Sequence, residues 1–316
     1  MKQEQVREEN KKQQVDLIIP VYKPTKQFKT TLQRIHEQTR RPDRIILMNT
    51  EEEFFDPSVI EGISYAEVYH IKKSEFDHGG TRNQAARMSN ADILIFMTQD
   101  AIPADRYVIE QLIAPFEEED VAAVYGRQMA DEKKNPIEAY TRIFNYPLES
   151  RKKTKDDLEE LGIKTFFCSN VCAAYRKEEY DKVGGFVLKT IFNEDMIMAS
   201  NLIEMGKAVY YNANVKVWHW HDYSGREQLH RNFDLAVSQK RYGGLFLKVK
   251  SESEGIRLVK STVLHLLQTG KWYLVPKLIW QSGCKLIGYK LGRSYDKLPK
   301  WLVLKLTMNR EYWKEQ

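Results

Sequence analysis

Residues 15–21, VDLIIPV, are the stretch on which the fold turns: an apolar run of strand length, closed by a proline, that reads as a buried β-strand. Just after it, Thr25 is placed to cap a helix carrying Phe28, Leu32 and Ile35 on one face. The alternation then repeats. RIILM (44–48), EVYHI (67–71), DILIFM (92–97) and residues 121–125 have strand character, and residues 81–88 and 105–117 read as helices among them. Further strands are expected over 166–175, 208–211 and 215–220, and helices over 177–183 and from Phe192 to Met205. Residues 131–164 are charged and irregular, as expected of a surface insertion placed to act as a lid. Strands alternating with helices, with few tight hairpins, define an α/β chain whose mostly parallel sheet is flanked by helices. Ligands of such sheets sit beyond the carboxyl ends of the strands. Those ends bring Pro20-Val21-Tyr22, Asn49-Thr50-Glu51 and Thr98-Gln99-Asp100 to one rim.

A chain of 316 residues can bury a large core. No run approaches the roughly 18 apolar residues of a membrane-spanning helix. The polar start, residues 1–14, lacks the apolar stretch of a signal peptide, so a cytoplasmic location is expected. Cys168, Cys172 and Cys284 are too few for a disulfide framework and lack a second pair to complete a zinc site; buried thiols in a reducing compartment are expected. The net charge of +5 is unevenly spread. From Gly255 to Gln316 there are 12 Lys+Arg against 3 Asp+Glu, which leaves −4 for the rest. Between Gly255 and Tyr295, seven basic residues and no acidic one are interleaved with Leu264, Trp272, Leu278, Trp280 and Leu286. Basic amphipathic helices with tryptophans suit an anionic membrane surface. Packing on the preceding domain and nucleic-acid binding are the competing readings; the membrane is preferred and no nucleic-acid partner is expected. The chain divides into a polar extension (1–14), an α/β domain (15–245) and a basic amphipathic helical region (246–316).

Several residues have chemistry to offer. Asp100 directly follows a buried strand; it is a candidate ligand for a hard cation, or it caps the next turn. His219 and His221, two apart on a strand-like run, project to one face, with Trp218 and Trp220 on the other. Either imidazole can ligate a metal or serve as a structural donor. Asp77-His78-Gly79-Gly80, with Arg82 and Asn83, sets adjacent glycines at a helix start. That arrangement lets backbone approach an anionic ligand, or forms a plain tight turn. Glu194-Asp195 opens a helix, where acids suit the dipole and where a carboxylate can equally take a proton from an attacking hydroxyl. Tyr22 can stack on a ligand or cover the core edge, and the Glu51–Glu53 run can hold a base or form a solvated turn.

Taken in order, IIPVYKP (18–24), FDHGGTRNQA (76–85), TQDAIP (98–103), NED (193–195) and HWHDYS (219–224) resemble the motifs of family 2 glycosyltransferases with the GT-A fold, in particular bacterial rhamnosyltransferases that use dTDP-L-rhamnose. The resemblance spans about residues 15–225. It implies a Rossmann-like nucleotide-diphospho-sugar transferase fold with a nucleotide-sugar half (15–102) and an acceptor half (103–245). It implies inverting, metal-assisted transfer of L-rhamnose to a hydroxyl of a lipid-linked cell-surface polysaccharide precursor. Mg²⁺ or Mn²⁺ would be held by Asp100 and by His221 or His219, Asp195 would be the base, and Glu194 its supporting neighbour. Pro20, Tyr22, Asn49, Glu51, Asp77, His78, Gly79, Arg82, Gln99 and Asp100 would bind the nucleotide sugar. Where many members carry Asp-x-Asp, this chain has Thr98-Gln99-Asp100. The resemblance also suits an enzyme held through residues 255–310 at the inner face of the plasma membrane, and it admits a homodimer. The alternatives are another donor, UDP-galactofuranose or a UDP-hexose, and a catalytically silent nucleotide-sugar-binding partner of a glycan assembly complex. Retention of Asp100, Glu194 and Asp195 speaks against silence.

Overall fold

The computed structural model describes residues 13–246 and 252–314. The polar extension therefore lies almost wholly outside the described residues, as do the residues just beyond the boundary expected at 246. In chain order the main elements begin with β1 (Val15–Tyr22), α1 (Lys26–His36), β2 (Arg44–Thr50), β3 (Ala66–Ile71), α2 (His78–Arg87), β4 (Ile93–Met97), β5 (Ile102–Pro103) and α3 (Val108–Ile113). Next come β6 (Val121–Met129), α4 (Pro136–Asn145), β7 (Arg151–Lys153), β8 (Cys172–Arg176), α5 (Lys177–Lys182), α6 (Glu194–Glu204) and β9 (Ala208–Trp218). The chain ends in α7 (Gly225–Arg241), α8 (Glu252–Gln268), α9 (Val275–Arg293) and α10 (Lys300–Leu306).

The strands form one sheet in the order β3-β2-β1-β4-β8-β6-β9-β5, with β7 also on β9. The parallel arrangement expected from the alternation is that of the β3-β2-β1-β4 half. Beyond β4 the sheet is mixed, because β8, β5 and β7 run against their neighbours and only β6 and β9 pair in parallel. β1 is apolar through its middle, Leu17–Ile19, because both of its faces are covered, and its one acid, Asp16, is itself buried. Leu17 and Ile19 join Phe28, Leu32 and Ile35 of α1 on one side, and Ile18 joins Phe96, Ala85 and Met198 on the other.

The structure corrects three local expectations. Residues 131–164 are not an irregular lid. Pro136 starts α4 behind the Asn135 cap, whose side chain accepts from Glu138 N–H at 3.1 Å, and β7 extends the sheet. An RKK strand has no apolar signal. Lys153 nevertheless enters the core, its ammonium donating to the Lys164 and Phe167 carbonyls and lying 4.8 Å from the Tyr125 ring centroid. Residues 166–171 precede the strand β8 rather than belonging to it. The two late strands merge into β9, whose register against β6 shifts at Gly126/Arg127, where the absent Cβ of Gly126 lets Val215 close in.

The C-terminal helices pack on the α/β domain. A Cβ on Gly288 would run into the Leu229 carbonyl, and one on Gly292 into that of Phe233, so α9 and α7 meet backbone to backbone. Val303, Leu306 and Trp313 complete a small core with Phe233, Val237 and Ile191. Buried Asp234 fastens it by accepting from Thr307 Oγ1 (2.7 Å) and Met308 N–H (2.8 Å). No helix among the described residues is long and apolar enough to cross a membrane. All three cysteines are free and buried, as expected.

Candidate active site

The loop after β4 carries Asp100, and the chain leaving β9 carries His219 and His221. Nε2 of His219 lies 3.5 Å, and Nε2 of His221 3.4 Å, from Asp100 Oδ2. One ligand atom from each of the three lies within 4.8 Å of the others. His219 Nδ1 is 2.9 Å from Gln128 Oε1, and Gln128 Nε2 donates to Ser169 Oγ at 2.9 Å. An amide oxygen can only accept, so His219 carries a proton on Nδ1 and presents Nε2 to Asp100, where it donates to the carboxylate when it holds a proton and offers a lone pair to a cation when it does not. Burial raises the Asp100 pKa, but the hydrogen bond and charge of His219 and the charge of His221 together outweigh it and hold the carboxyl well below the usual range. Burial pushes the His221 imidazole down to about 4, with His219 adding to the effect and Asp100 opposing it. One carboxylate and two imidazoles are a donor set that fits a divalent cation. The mixed oxygen and nitrogen ligands suit Mn²⁺ better than Mg²⁺, which prefers oxygen.

The second cluster sits at the start of α6, which the chain enters through Asn193 in the left-handed region (φ 69°). Both Asp195 oxygens are fixed: Asn170 N–H donates to Oδ2 at 3.1 Å and Met196 N–H to Oδ1 at 2.8 Å. Buried Glu194 faces Arg82 Nη1 at 3.3 Å. Burial pushes Asp195 up to about 7, helped by the negative charge of Glu194. Burial also opposes ionisation of Glu194, but the Arg82 and His78 charges prevail and lower it. The Phe192 carbonyl just upstream accepts from Thr190 Oγ1 (2.6 Å) and Ser238 Oγ (2.5 Å), which anchors this entry to α7.

The two clusters are linked through intervening side chains. A chain of contacts runs from Asp100 through His219, Gln128 and Ser169, and the next residue, Asn170, binds Asp195. On a second path, His221 stacks on Tyr223 (4.8 Å between centroids), and the Arg231 guanidinium lies 5.7 Å from Tyr223 and 4.9 Å from Phe192. Phe192 in turn stacks on His78 at 6.2 Å. Arg231 was not singled out from the sequence because α7 was not. The signal lay in Ser224-x-x-Glu227, a capping box in which Ser224 Oγ accepts from Glu227 N–H and Glu227 accepts from Ser224 N–H.

The remaining candidates line the parallel half. Tyr22 stands exposed at the end of β1, edge-on to Phe54, with the Lys23 and Lys73 ammonium groups 5.3 and 5.8 Å from its ring centroid. Gln99 closes a two-bond clamp on the Tyr22 backbone, accepting from its N–H at 3.0 Å and donating to its carbonyl at 2.9 Å. Its side chain thus ties β4 to β1, which accounts for a glutamine beside Asp100. Asn49 is buried; its amide donates to the Glu51 carbonyl (3.0 Å) and lies 2.9 Å from His70 Nδ1. Glu51, in the left-handed region, accepts from Lys73 N–H. Pro20 is half-buried within β1. Helix α2 starts at His78, earlier than expected, because Asp77 caps it by accepting from Gly80 N–H at 2.6 Å. Gly79 serves close approach of the chain's own backbone: a Cβ there would strike the Val187 carbonyl. Arg82 donates to the His78 carbonyl at 2.8 Å and is otherwise spent on Glu194, with Nε buried and unpaired.

The sequence profile described as Glycosyl transferase family 2 matches residues 16–184. The chain is 36% identical over 307 residues to the O-antigen chain rhamnosyltransferase RfbN of Salmonella typhimurium, which covers 95% of this chain and 96% of that one. It is 35% identical over 306 residues to the O-antigen chain rhamnosyltransferase WbaN of Salmonella anatum, covering 94% and 95%. Among solved structures, the mannosyltransferase PcManGT of Pyrobaculum calidifontis, in complex with GDP-Man and Mn²⁺, is similar with a TM-score of 0.57 at 16% identity over 97% of this chain and 89% of that one. S. aureus TarS 1–349 is similar with a TM-score of 0.51 at 12% identity over 90% and 91%. At those identities the structural likeness is one of fold.

Proposed function

The chain belongs to glycosyl transferase family 2 and is a glycosyltransferase, and from that premise we propose that it transfers L-rhamnose from dTDP-L-rhamnose, with inversion, to a hydroxyl of a lipid-linked cell-surface polysaccharide precursor. The observation that carries this reading is the chain of contacts that joins Asp100, His219 and His221 to Asp195. The names of the two Salmonella relatives support the sugar. Asp100, with His219 and His221, would hold Mg²⁺ or Mn²⁺, which when bound offsets negative charge on the departing diphosphate. Asp195 accepts the proton of the attacking hydroxyl, its oxygens aimed by Asn170 and Met196 and its basicity raised by Glu194. Arg231 adds a positive charge to the path between the two clusters. Residues 15–102 form the donor half, with Pro20, Tyr22, Asn49, Glu51, Gln99 and the Asp77–Arg82 turn around the nucleotide, and residues 103–245 form the acceptor half. The test is release of nucleotide diphosphate in the presence of Mn²⁺ from dTDP-L-rhamnose, UDP-galactofuranose and a UDP-hexose. Turnover of the rhamnose donor should exceed the others by about tenfold or more. Preference for a UDP-sugar overturns the donor assignment, and no release from any donor points to a silent binding module.

The C-terminal region supports a membrane-facing position as well as packing. Trp272, Trp280 and Trp301 are each about two-thirds exposed, at 67%, 68% and 66%, and Ile279, Leu286 and Ile287 are exposed with them. Lys260, Lys290, Lys297, Lys305 and Arg310 are exposed along the same helices. Apolar and aromatic side chains interleaved with cations suit a peripheral seat on an anionic bilayer. Deleting the region would remove part of the core around Trp313, so point substitution is the cleaner test. Trp272→Ser combined with Trp301→Ser should lower sedimentation with phosphatidylglycerol vesicles by about tenfold, equivalent to ~1.4 kcal/mol, while the melting temperature stays put. Unchanged sedimentation removes the membrane assignment.

A further inference from the structure

Asp195 takes one of its two hydrogen bonds from a loop, and a loop backbone points where its anchors hold it. Asn170 supplies that bond, its N–H donating to Oδ2 at 3.1 Å. It belongs to no strand. It lies in the turn that leads into β8, closed by Cys172 N–H donating to the Ser169 carbonyl at 3.2 Å. The anchor is its own buried side chain. Tyr175 Oη donates to Asn170 Oδ1 at 2.9 Å, and Nδ2 on the other arm of the amide lies 3.5 Å from Glu194 Oε1, at the outer limit of a hydrogen bond. The two contacts fix the amide's orientation between them. A carboxylate only accepts, so the NH₂ arm turns to Glu194 and the oxygen to the hydroxyl, which then donates.

Tyr175 is held by the sheet. It stands in β8 opposite Leu94 of β4 and Ala123 of β6. Its ring is fully buried, with the ring centroids of Phe186, Phe96 and Tyr180 at 5.5, 5.7 and 6.0 Å. A phenylalanine would fill that aromatic setting with no hydroxyl to satisfy, and a buried hydroxyl is tolerated only with a partner. Among the described residues its partners are Asn170 and, at 3.5 Å, Cys168 Sγ. A strand in mid-sheet thus reaches Asp195 through a single loop residue. We infer that Tyr175 is a positioning residue: its hydroxyl holds the Asn170 side chain and thereby directs the Asn170 N–H at the Asp195 carboxylate. The inference rests on the reading of Asp195 as the base of a transferase. The other titratable groups acting on Asp195 are Glu194 on α6, Arg82 on α2, Tyr146 at the end of α4 and Cys168 before β8. Removing the Tyr175 hydroxyl leaves all of them in place. Burial keeps that hydroxyl protonated, so its removal takes away a hydrogen bond and no charge.

The test is Tyr175→Phe in the full chain, read by the carboxyl ¹³C resonance of Asp195, which is identified by its loss in Asp195→Asn. An N–H bond to a carboxylate favours the charged form, so weakening that bond should raise the midpoint of the Asp195 titration by about 0.5 to 1 on the pH scale. The rising limb of kcat against pH should move up by the same amount. At about pH 6.5, kcat for dTDP-L-rhamnose should fall by roughly three- to tenfold, while the donor KM and the Mn²⁺ affinity stay within about twofold. Removing the negative charge of Glu194 acts in the opposite direction, so the two effects are separable by sign. Asn170→Ala takes away the Oδ1 acceptor and keeps the N–H. It should raise the midpoint likewise, and the double variant should add nothing beyond the larger single effect. It also decides the matter should Tyr175→Phe fold poorly. An Asp195 midpoint that stays put in the folded variants, or a fall in kcat equal at every pH, overturns the inference, since lost packing alone would give that result. Absence of nucleotide diphosphate release by the unmodified protein is a failure of the transferase reading. The carboxyl midpoint needs no turnover and decides on its own whether Tyr175 positions Asp195.

Discussion

Asp195→Asn should lower sugar transfer by about 10³-fold while leaving the affinity for dTDP and Mn²⁺ within about twofold. Asparagine keeps the shape of the side chain and one acceptor for the Asn170 and Met196 N–H groups, but it cannot take a proton. The pH profile carries the same information with its sign fixed. Asp195 is pushed up to about 7, first by burial and then by Glu194. A base works only when deprotonated, so kcat/KM should rise with pH toward a plateau above about 7. At pH 6 only about a tenth of the molecules would carry the active carboxylate. Glu194→Gln removes the neighbouring negative charge, so the limb should move to lower pH. That shift separates an electrostatic role for Glu194 from a merely structural one. Substantial transfer by Asp195→Asn, or a profile flat between pH 5 and 8, would remove Asp195 as the base.

Why some of this was legible in the sequence and some was not comes down to what a linear pattern encodes. β1 declares itself because a strand covered on both faces has to be apolar throughout, and residues 15–21 are nearly so. The acid at residue 195 and the group at 100, 219 and 221 were reached through the order of five short motifs. The contacts that link them depend on a sheet that carries β6, β8 and β9 past β4. Side-chain direction was not legible. Gln99 sits next to a candidate metal ligand yet spends its amide on the Tyr22 backbone. Gly79 looks like a ligand-approach glycine and instead admits Val187. Arg82, expected at the nucleotide, pairs with Glu194 and so helps set the charge beside Asp195. β7 stayed hidden because a lysine can bury its stem and satisfy its ammonium on carbonyls, leaving no apolar trace. Arg231 on α7 was hidden for another reason: a basic residue on an amphipathic helix looks alike whether it faces a membrane, solvent or aromatic rings.

Asp100→Ala should abolish metal-dependent transfer to a similar degree, about 10²- to 10³-fold, because it removes the only carboxylate of the group and with it several kcal/mol of transition-state charge stabilisation. Chelation of the unmodified protein with EDTA should reproduce the loss, and Mn²⁺ should restore activity to the unmodified protein alone. A graded comparison locates the ion. Gln128→Met breaks the hydrogen bond that fixes the His219 ring without touching a ligand atom, so it should weaken Mn²⁺ binding by roughly 10- to 100-fold. Asp195→Asn, at the far end of the same hydrogen-bonded chain, should leave Mn²⁺ binding unchanged. The order of Mn²⁺ affinities read by electron paramagnetic resonance is therefore expected to be Asp195→Asn, then Gln128→Met, then Asp100→Ala. Wild-type affinity in Asp100→Ala would place the cation elsewhere. Equal losses in Gln128→Met and Asp195→Asn would mean that the path from Asp100 to Asp195 transmits disruption as one unit, and the division of labour between ion binding and proton transfer would fail.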